Sequence, residues 1–183
     1  MRSAIALGSN IGDRLANLRE AYQRVSALNE IGGLVRSSSI YETSPVDCEP
    51  ETAEYLNAVM EISFDGPPVA LLNHLQQIEA EMGRPSKRPR NSPRIIDLDI
   101  LYVGNLVLHS AEIIIPHPRL AKRRFVLAPL AEIAPDLVLP GHSRSVSSLL
   151  EKLNDEEEVR RLPFSNVQSL NPKITFVSSV PLW

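Results

Sequence analysis

The sequence holds one cysteine in 183 residues, few aromatic side chains (5 %) and a net charge of only −3 at pH 7. A single thiol excludes an internal disulfide framework, so a reducing cytoplasm is the expected compartment. A near-neutral balance gives no global drive toward nucleic acid or an anionic membrane, and neither is expected as a partner. No apolar run reaches spanning length, and the opening "MRSAIALGSN" lacks the apolar core of a secretion signal. Two catalytic signatures are missing as well. No G-x-S-x-G marks a nucleophilic serine, and no G-x-x-x-x-G-K-[ST] marks a Walker-type phosphate loop. Cys48 has neither a CxxC partner nor an activating neighbour. An in-line transfer to a bound hydroxyl would need no nucleophile, and positioning and electrostatics can carry it.

The 43 % apolar content is enough for one well-packed domain. No internal repeat is present. Residues 1–153 are expected to form that domain, as a monomer, and residues 154–183 a loosely packed extension of unassigned role. Within the extension, Lys173 to Val177 ("KITFV") is a candidate edge strand. Ser3 to Leu7 reads as a buried strand, and Leu15, Leu18, Tyr22 and Val25 recur at helical spacing over Asp13 to Leu28. Gly32-Gly33 is expected to end that unit, and Leu34 to Thr43 is β-rich. Asn57 to Asp65 alternates, with Ala58, Met60, Ile62 and Phe64 on one face. Pro67-Pro68 opens a second helix reaching Met82, closed by Gly83. With the strand "RIIDLDILYV", Arg94 to Val103, the order becomes β-α-β-β-α-β. That order predicts an α+β, ferredoxin-like antiparallel sheet with helices on one face, followed by extra C-terminal helices.

The charges are unevenly placed. Arg84 to Arg94 holds five cations, three prolines and no acid, and Arg119 to Arg124 adds four cations, so nine of nineteen Lys and Arg lie in two short windows. A local anion site follows from this. Directly after the first window, Asp97 and Asp99 interrupt an apolar strand. Ile96, Leu98, Ile100 and Tyr102 are predicted to meet the helices, leaving the two aspartates, with Leu101 and Val103, toward an open cleft. Same-face strand neighbours sit roughly 6.5–7 Å apart, close enough to share one divalent ion or two adjacent ones. Hard oxygen ligands favour Mg²⁺, whose shell is completed by water and substrate phosphates. D-x-D is also common as a solvated pair on an edge strand, and only the adjacent basic loop tips the balance toward polyphosphate chemistry.

Other residues carry weaker signals. "GSNIGD" sits between strand and helix, as phosphate loops do and as plain turns do. Glu79 borders the apolar stripe of the second helix, where ligand contact and solvent exposure read equally well. Tyr55 and Phe125 could both be core, or together sandwich a flat ring. His117, between two prolines, suits a structural turn or a phosphate contact alike.

Taken together, "ALGSNIGD", "YETSPV", "YLNAV", "IEAEMGR", "SPRIIDLDIL", "PHPRL" and "FVLAPLAEIAP" resemble, in order and spacing, 6-hydroxymethyl-7,8-dihydropterin pyrophosphokinases, from about Ala4 to Leu153. The resemblance implies transfer of the terminal diphosphate of ATP to a pterin hydroxymethyl group, with AMP released, in folate biosynthesis. It implies that Asp97 and Asp99 hold two Mg²⁺ ions bound with ATP, and that Arg84 and Arg94 act with them in catalysis. Thr43, Val46, Tyr55, Asn57 and Phe125 would bind the pterin. Gln76, Glu79, Arg84, Arg94, His117 and Arg123 would bind ATP. The chain departs from the family pattern at Ser86, where a second Arg is common, and at Asn91-Ser92, where Trp-Gly often stands. Lys87, Arg88 and Arg90 could supply equivalent charge. In "EIIIPHP", Glu112 and Ile114 replace the Arg and Thr of some members. Two other readings remain: a ferredoxin-like nucleic-acid-binding module using the basic windows, and a catalytically weakened relative.

Overall fold

The computed structural model describes residues 1–44, 53–84, 93–153 and 158–163. Val46, Ser86, Lys87, Arg88, Arg90, Asn91 and the "KITFV" segment lie outside the described residues. Strand β1 (Arg2–Ser9) leads through an Asp13 N-cap, which accepts from the Ala16 N–H at 2.9 Å, into α1 (Arg14–Ser26). Helix α1 buries Leu18, Tyr22 and Val25 of the expected stripe and also Ala21, while Leu15 is only partly buried against the same core. Strands β2 (Ile31–Ser37), β3 (Tyr41–Thr43) and β4 (Tyr55–Phe64) follow, then α2 (Pro68–Glu81) and β5 (Asp97–Val103). The glycines expected to end the α1 unit lie inside β2, where the pairing with β4 shifts register between Ile31 and Val35.

The sheet is antiparallel in all its named pairings, in the order β5-β1-β4-β3-β8, where β8 is Val159–Arg161, with β2 also on β4. The small strands β6 (Leu108–His109) and β7 (Ile114–Ile115) pair separately. A 3₁₀ turn (Leu120–Lys122), α3 (Arg124–Ile133) and α4 (Val146–Lys152) come next. The last described strand, β8 (Val159–Arg161), belongs to the segment expected to pack loosely; it joins the sheet edge on β3 instead. No helix among the described residues is long and apolar enough to cross a membrane.

Helices lie on both faces of the sheet, not on one. One core packs α1 and α2 on Ile5, Leu7, Met60, Ile62, Leu98 and Ile100. A second core packs Val126, Leu127 and Leu130 of α3 on Ala4, Val59, Leu101 and Tyr102. The physical reason is the apolar stripe of α3, which has to be buried, and an opposite sheet face apolar enough to receive it. Among the described residues, the end of the sheet near Gly8, Asn57 and Asp97 lies beyond the α3 core.

Alternation predicts Tyr102 on the face of α1 and α2 and Val103 on the other; the structure reverses both. On β1, Ala4 faces Tyr102 while the next residue, Ile5, faces Ile100, so Leu101 is an extra residue in β5. This bulge moves every later side chain to the opposite face.

Candidate active site

Two cross-strand rows form the floor of the site. Asn57 pairs with Gly8, and Gly8 with Asp97; one step along, Val59 pairs with Ala6, and Ala6 with Asp99. The strict period of a strand therefore puts both aspartates and Asn57 on one face, over the small side chains of β1. A Cβ added at Gly8 would come within 3.0 Å of Asn57 Oδ1, so only glycine leaves that amide undisturbed. Buried Asn57 donates through Nδ2 to the Thr43 hydroxyl at 2.7 Å, which fixes its orientation and turns its Oδ1 toward Gly8. Tyr55 opens β4 opposite Thr43, and half-buried Phe125 lies in the first turn of α3, its ring 5.2 Å beneath the Arg123 guanidinium.

The cations arrive by separate routes. Helix α2 ends in a Schellman motif. Gly83, at φ +93°, donates to the Ala80 carbonyl at 3.0 Å, and Arg84 N–H donates to the Glu79 carbonyl at 2.9 Å. That turn lays Arg84 back over the Glu79 carboxylate, with which it pairs, while its other Nη reaches Asp97 Oδ1 at 2.9 Å. Buried Glu79 also accepts the Leu98 N–H at 2.8 Å, between the two aspartates. It thus braces α2 against β5 and orients Arg84.

Arg94 is clamped by the turn after β1. Its N–H donates to Asn10 Oδ1 at 2.7 Å, its carbonyl accepts the Asn10 N–H at 3.1 Å, and its Nη1 pairs with Asp97. Among the described residues, Asn10 Nδ2 and Arg94 Nε are both buried without a hydrogen-bond partner. The "GSN" turn, a weak signal in the sequence, thus has a defined task in placing Arg94.

His117 is delivered by the β5 bulge, whose Leu101 carbonyl accepts the His117 N–H at 2.8 Å. Its Nδ1 accepts from Arg119 N–H at 3.2 Å, which assigns the ring proton of the neutral form to Nε2. Burial lowers the His117 pKa, against the opposing pull of Asp99. Burial, then the neighbouring Asp97 charge, raises the Asp99 carboxyl above its usual range, with His117, Arg123 and Arg84 pulling the other way. Burial likewise lowers Arg123, which lies among Arg119, Asp99 and Asp97. Two carboxylates and a ring of cations thus share one end of the sheet.

Beside this cluster, along the outer strand β5, lies a cavity of about 290 Å³. Its walls are Leu72 of α2, Leu98 and Ile100 of β5, and Ser110 to Ile114, with Asp99 and His117 at the charged side. Such a volume is at the small end of the roughly 300–1,000 Å³ of small-molecule sites. Gln76 is exposed on the same α2 face, one turn from both Leu72 and Glu79. Sequence reading missed this slot: Leu72, Leu98 and Ile100 look like core, and the Ser110 to Ile114 stretch carries no chemical motif.

Among the described residues no group of three or more Asp, Glu, His or Cys is placed to enclose a metal ion. The pair Asp97 and Asp99 nevertheless fits a hard divalent cation that keeps water and phosphate oxygens in its shell. Burial first, and the Asp97 charge second, raise the Asp99 carboxyl, and a bound cation would relieve both.

Fold and site together define an antiparallel α+β protein with a charged cleft at one end of its sheet, beside an apolar slot. Residues 4–135 match the family model of 7,8-dihydro-6-hydroxymethylpterin-pyrophosphokinase (HPPK). The chain belongs to that family. It is 38 % identical over 159 residues to the 2-amino-4-hydroxy-6-hydroxymethyldihydropteridine pyrophosphokinase of Haemophilus influenzae, covering 87 % of this chain and 97 % of the relative. The Bacillus subtilis protein of the same name is 47 % identical over 131 residues, covering 70 % and 75 %. Against the Folic acid synthesis protein fol1 of Pneumocystis carinii the identity is 40 % over 87 % of this chain, which spans 21 % of that longer relative. Among solved structures, the Plasmodium falciparum HPPK-DHPS with SDX-DHP superposes with a TM-score of 0.61 at 16 % identity. That match covers 82 % of this chain and 44 % of the other, a likeness of fold alone.

Proposed function

We propose that this chain moves the terminal diphosphate of ATP to the hydroxyl of 6-hydroxymethyl-7,8-dihydropterin and releases AMP, as a pyrophosphokinase of folate synthesis. The observation that carries the reading is the row Asn57–Gly8–Asp97. It crosses two strand spacings, about 10 Å, from a hydrogen-bonding amide over a glycine floor to a carboxylate ringed by arginines. A bicyclic ring held at one edge by Asn57 would extend its hydroxymethyl arm toward Asp97. Thr43 sets the Asn57 amide, Val46 is expected beside it, and Tyr55 and Phe125 close on the ring faces. The apolar slot of Leu72, Ile100 and Ile113 would take the nucleoside, with Gln76 and Glu79 on its α2 side.

In the transfer, the pterin oxygen forms a bond to the β-phosphorus and the bond to the α–β bridging oxygen breaks. AMP leaves with the electron pair and the hydroxyl proton goes to solvent. Arg84, Arg94 and Arg123, with the His117 Nε2–H, face the phosphate oxygens and neutralise charge as it moves to the leaving group. Asp97 and Asp99 would hold Mg²⁺, two ions by family resemblance, whose Lewis acidity supports the same charge. No chain residue has to form a covalent intermediate. The sheet order, with β1 between β4 and β5, supports the ferredoxin-like description of the core. A monomer in a reducing cytoplasm, with no nucleic-acid partner, completes the proposal.

The test is to incubate the protein with Mg²⁺, ATP and the dihydropterin alcohol and to separate the nucleotides. AMP and pterin diphosphate in equal amounts are expected. ADP as the nucleotide product would refute diphosphate transfer.

A further inference from the structure

We propose that the C-terminal segment Val159 to Leu162 is a strap that sets the pterin side of the site, with Arg160 and Arg161 as positioning residues. The inference rests on the pyrophosphokinase reading above and concerns a segment beyond the matched family region, which ends at residue 135.

The walls of the pterin side are short and need holding. Strand β3 is three residues long, yet it presents Tyr41 and Thr43 toward the site, the latter orienting Asn57. On its far side β8 adds a second ladder, Tyr41 opposite Arg161 and Thr43 opposite Val159, and the Leu162 N–H donates to the Ile40 carbonyl at 2.9 Å. A three-residue strand paired on both sides is held far better than one paired on one side.

Two ionic hubs complete the strap. Glu132 of α3 accepts from the Ser39 N–H at 2.9 Å, the Ser39 hydroxyl at 2.7 Å and the Tyr41 hydroxyl at 3.1 Å. Arg161 then bonds both Ser39 Oγ and Glu132 Oε1, the latter at 3.0 Å. Burial and Glu132 push the Tyr41 phenol up to about 12, so it stays a donor. The helix that carries Phe125 is tied in this way to the entry of β3. At the other hub, Glu42 is shared by Arg160 and by Arg14, at 3.0 Å, and Arg14 also donates to the Glu54 carbonyl at 2.7 Å. Glu42 precedes Thr43 and Glu54 precedes Tyr55, so one arginine spans the two approaches to the pterin residues.

Exposed ion pairs contribute little to global stability, and Arg160 and Arg161 are 62 % and 49 % exposed. Glu42 is only 12 % exposed, so Arg160 acts on a group set in the site wall, while Arg161 joins a Glu132 carboxylate already held by Ser39 and Tyr41. The strap thus works on geometry more than on folding energy. That separation makes it testable.

The test uses the full chain with Arg160→Met and Arg161→Met, singly and combined, which keep the apolar stems and remove the charges. Steady-state KM is measured for the dihydropterin at saturating ATP and for ATP at saturating dihydropterin, with kcat and the melting temperature. The double variant is expected to raise the pterin KM about fivefold, close to 1 kcal/mol. The ATP KM should stay within about twofold, with kcat and melting temperature near wild type, because surface pairs carry little stability. Arg161→Lys should recover part of the loss. An unchanged pterin KM, a parallel rise in both KM values, or a kcat loss that follows melting temperature would overturn the strap. A wild type that releases no AMP overturns the pyrophosphokinase reading and the strap with it. An active wild type with unaltered variants overturns the strap alone.

Discussion

Replacing Asp99 by Asn should make the free protein more stable while abolishing turnover. Asp99 and Asp97 are same-face neighbours on β5, and Asp99 is largely desolvated. Two unit charges about 6.5 Å apart repel by about 2.5 kcal/mol at an effective dielectric of about 20. Asp97, however, already shares its charge with Arg84 and Arg94, and Arg123 and His117 face Asp99. We therefore expect a net gain of about 1 kcal/mol, which in a chain of this size raises the melting temperature by about 2–4 °C. The pH dependence follows in sign. The folded Asp99 pKa lies above its unfolded value, so the ionised carboxylate weakens the fold at neutral pH. The penalty is relieved as the group takes up its proton in acid. The gap between variant and wild type should be widest near pH 7 and close as the pH falls. Thermal melts of both proteins between pH 4 and 8, with and without Mg²⁺ and ATP, measure this. Ligand should stabilise wild type much more than the variant. A variant that melts lower at neutral pH, or that turns over normally, would refute the argument that Asp99 is a functional charge held at a cost.

Gly8→Ala should raise the pterin KM about tenfold, or 1.4 kcal/mol, and leave ATP binding nearly intact, because its Cβ meets Asn57 Oδ1 at 3.0 Å on the ring floor; paired KM measurements check it. Gly83→Ala is expected to cost about 1–2 kcal/mol, since alanine would sit at φ +93° with its Cβ 3.3 Å from Ile95 Cδ1. It should also raise the ATP KM by turning Arg84 away, an effect absent if Arg84 is only a surface cation. Glu61→Gln should destabilise by about 2 kcal/mol in denaturant melts, because fully buried Glu61 accepts from Arg2, Arg36 and Tyr102. Burial pushes the Glu61 carboxyl up, but those three donors outweigh it and hold it low. Its stabilisation is therefore present at neutral pH and lost as pH falls through the folded value, and the difference from Glu61→Gln should shrink in strong acid.

The elements that carried the strongest periodic patterns were legible in the sequence. Asp13 and Gly83 bracket α1 and α2 because capping and the left-handed turn are local chemistry. The alternation of β4 and the start of β5 put Asn57, Asp97 and Asp99 on one face. The cations could be guessed as a group, yet their geometry could not. Arg94 depends on a clamp from Asn10, 84 residues away in sequence, and Arg84 depends on Glu79, whose charge looked misplaced in an apolar stripe. The nucleoside slot is built of ordinary core residues at a sheet edge. Nothing local distinguishes a leucine that lines a cavity from one that fills it. Residues 158–163 fall in the extension expected to pack loosely, where no strong local pattern marks a strand. Their order comes from partners on β3 and α3.

The bulge in β5 shows most clearly why a face can be assigned while a site stays incomplete. Alternation is a rule about neighbours within one strand, whereas a bulge is settled between two strands, here β1 and β5. Asp97 and Asp99 lie before the extra residue Leu101, so their predicted face holds. Tyr102 and Val103 lie after it, so theirs is reversed. The same distortion carries the Leu101 carbonyl that receives the His117 N–H, bringing a second, sequence-distant element to the carboxylates. The reversal also takes Tyr102 across the sheet to the Glu61 carboxylate. One inserted residue thus accounts for the error in the strand reading, for the arrival of His117 at the aspartates, and for the polar anchor beneath α3.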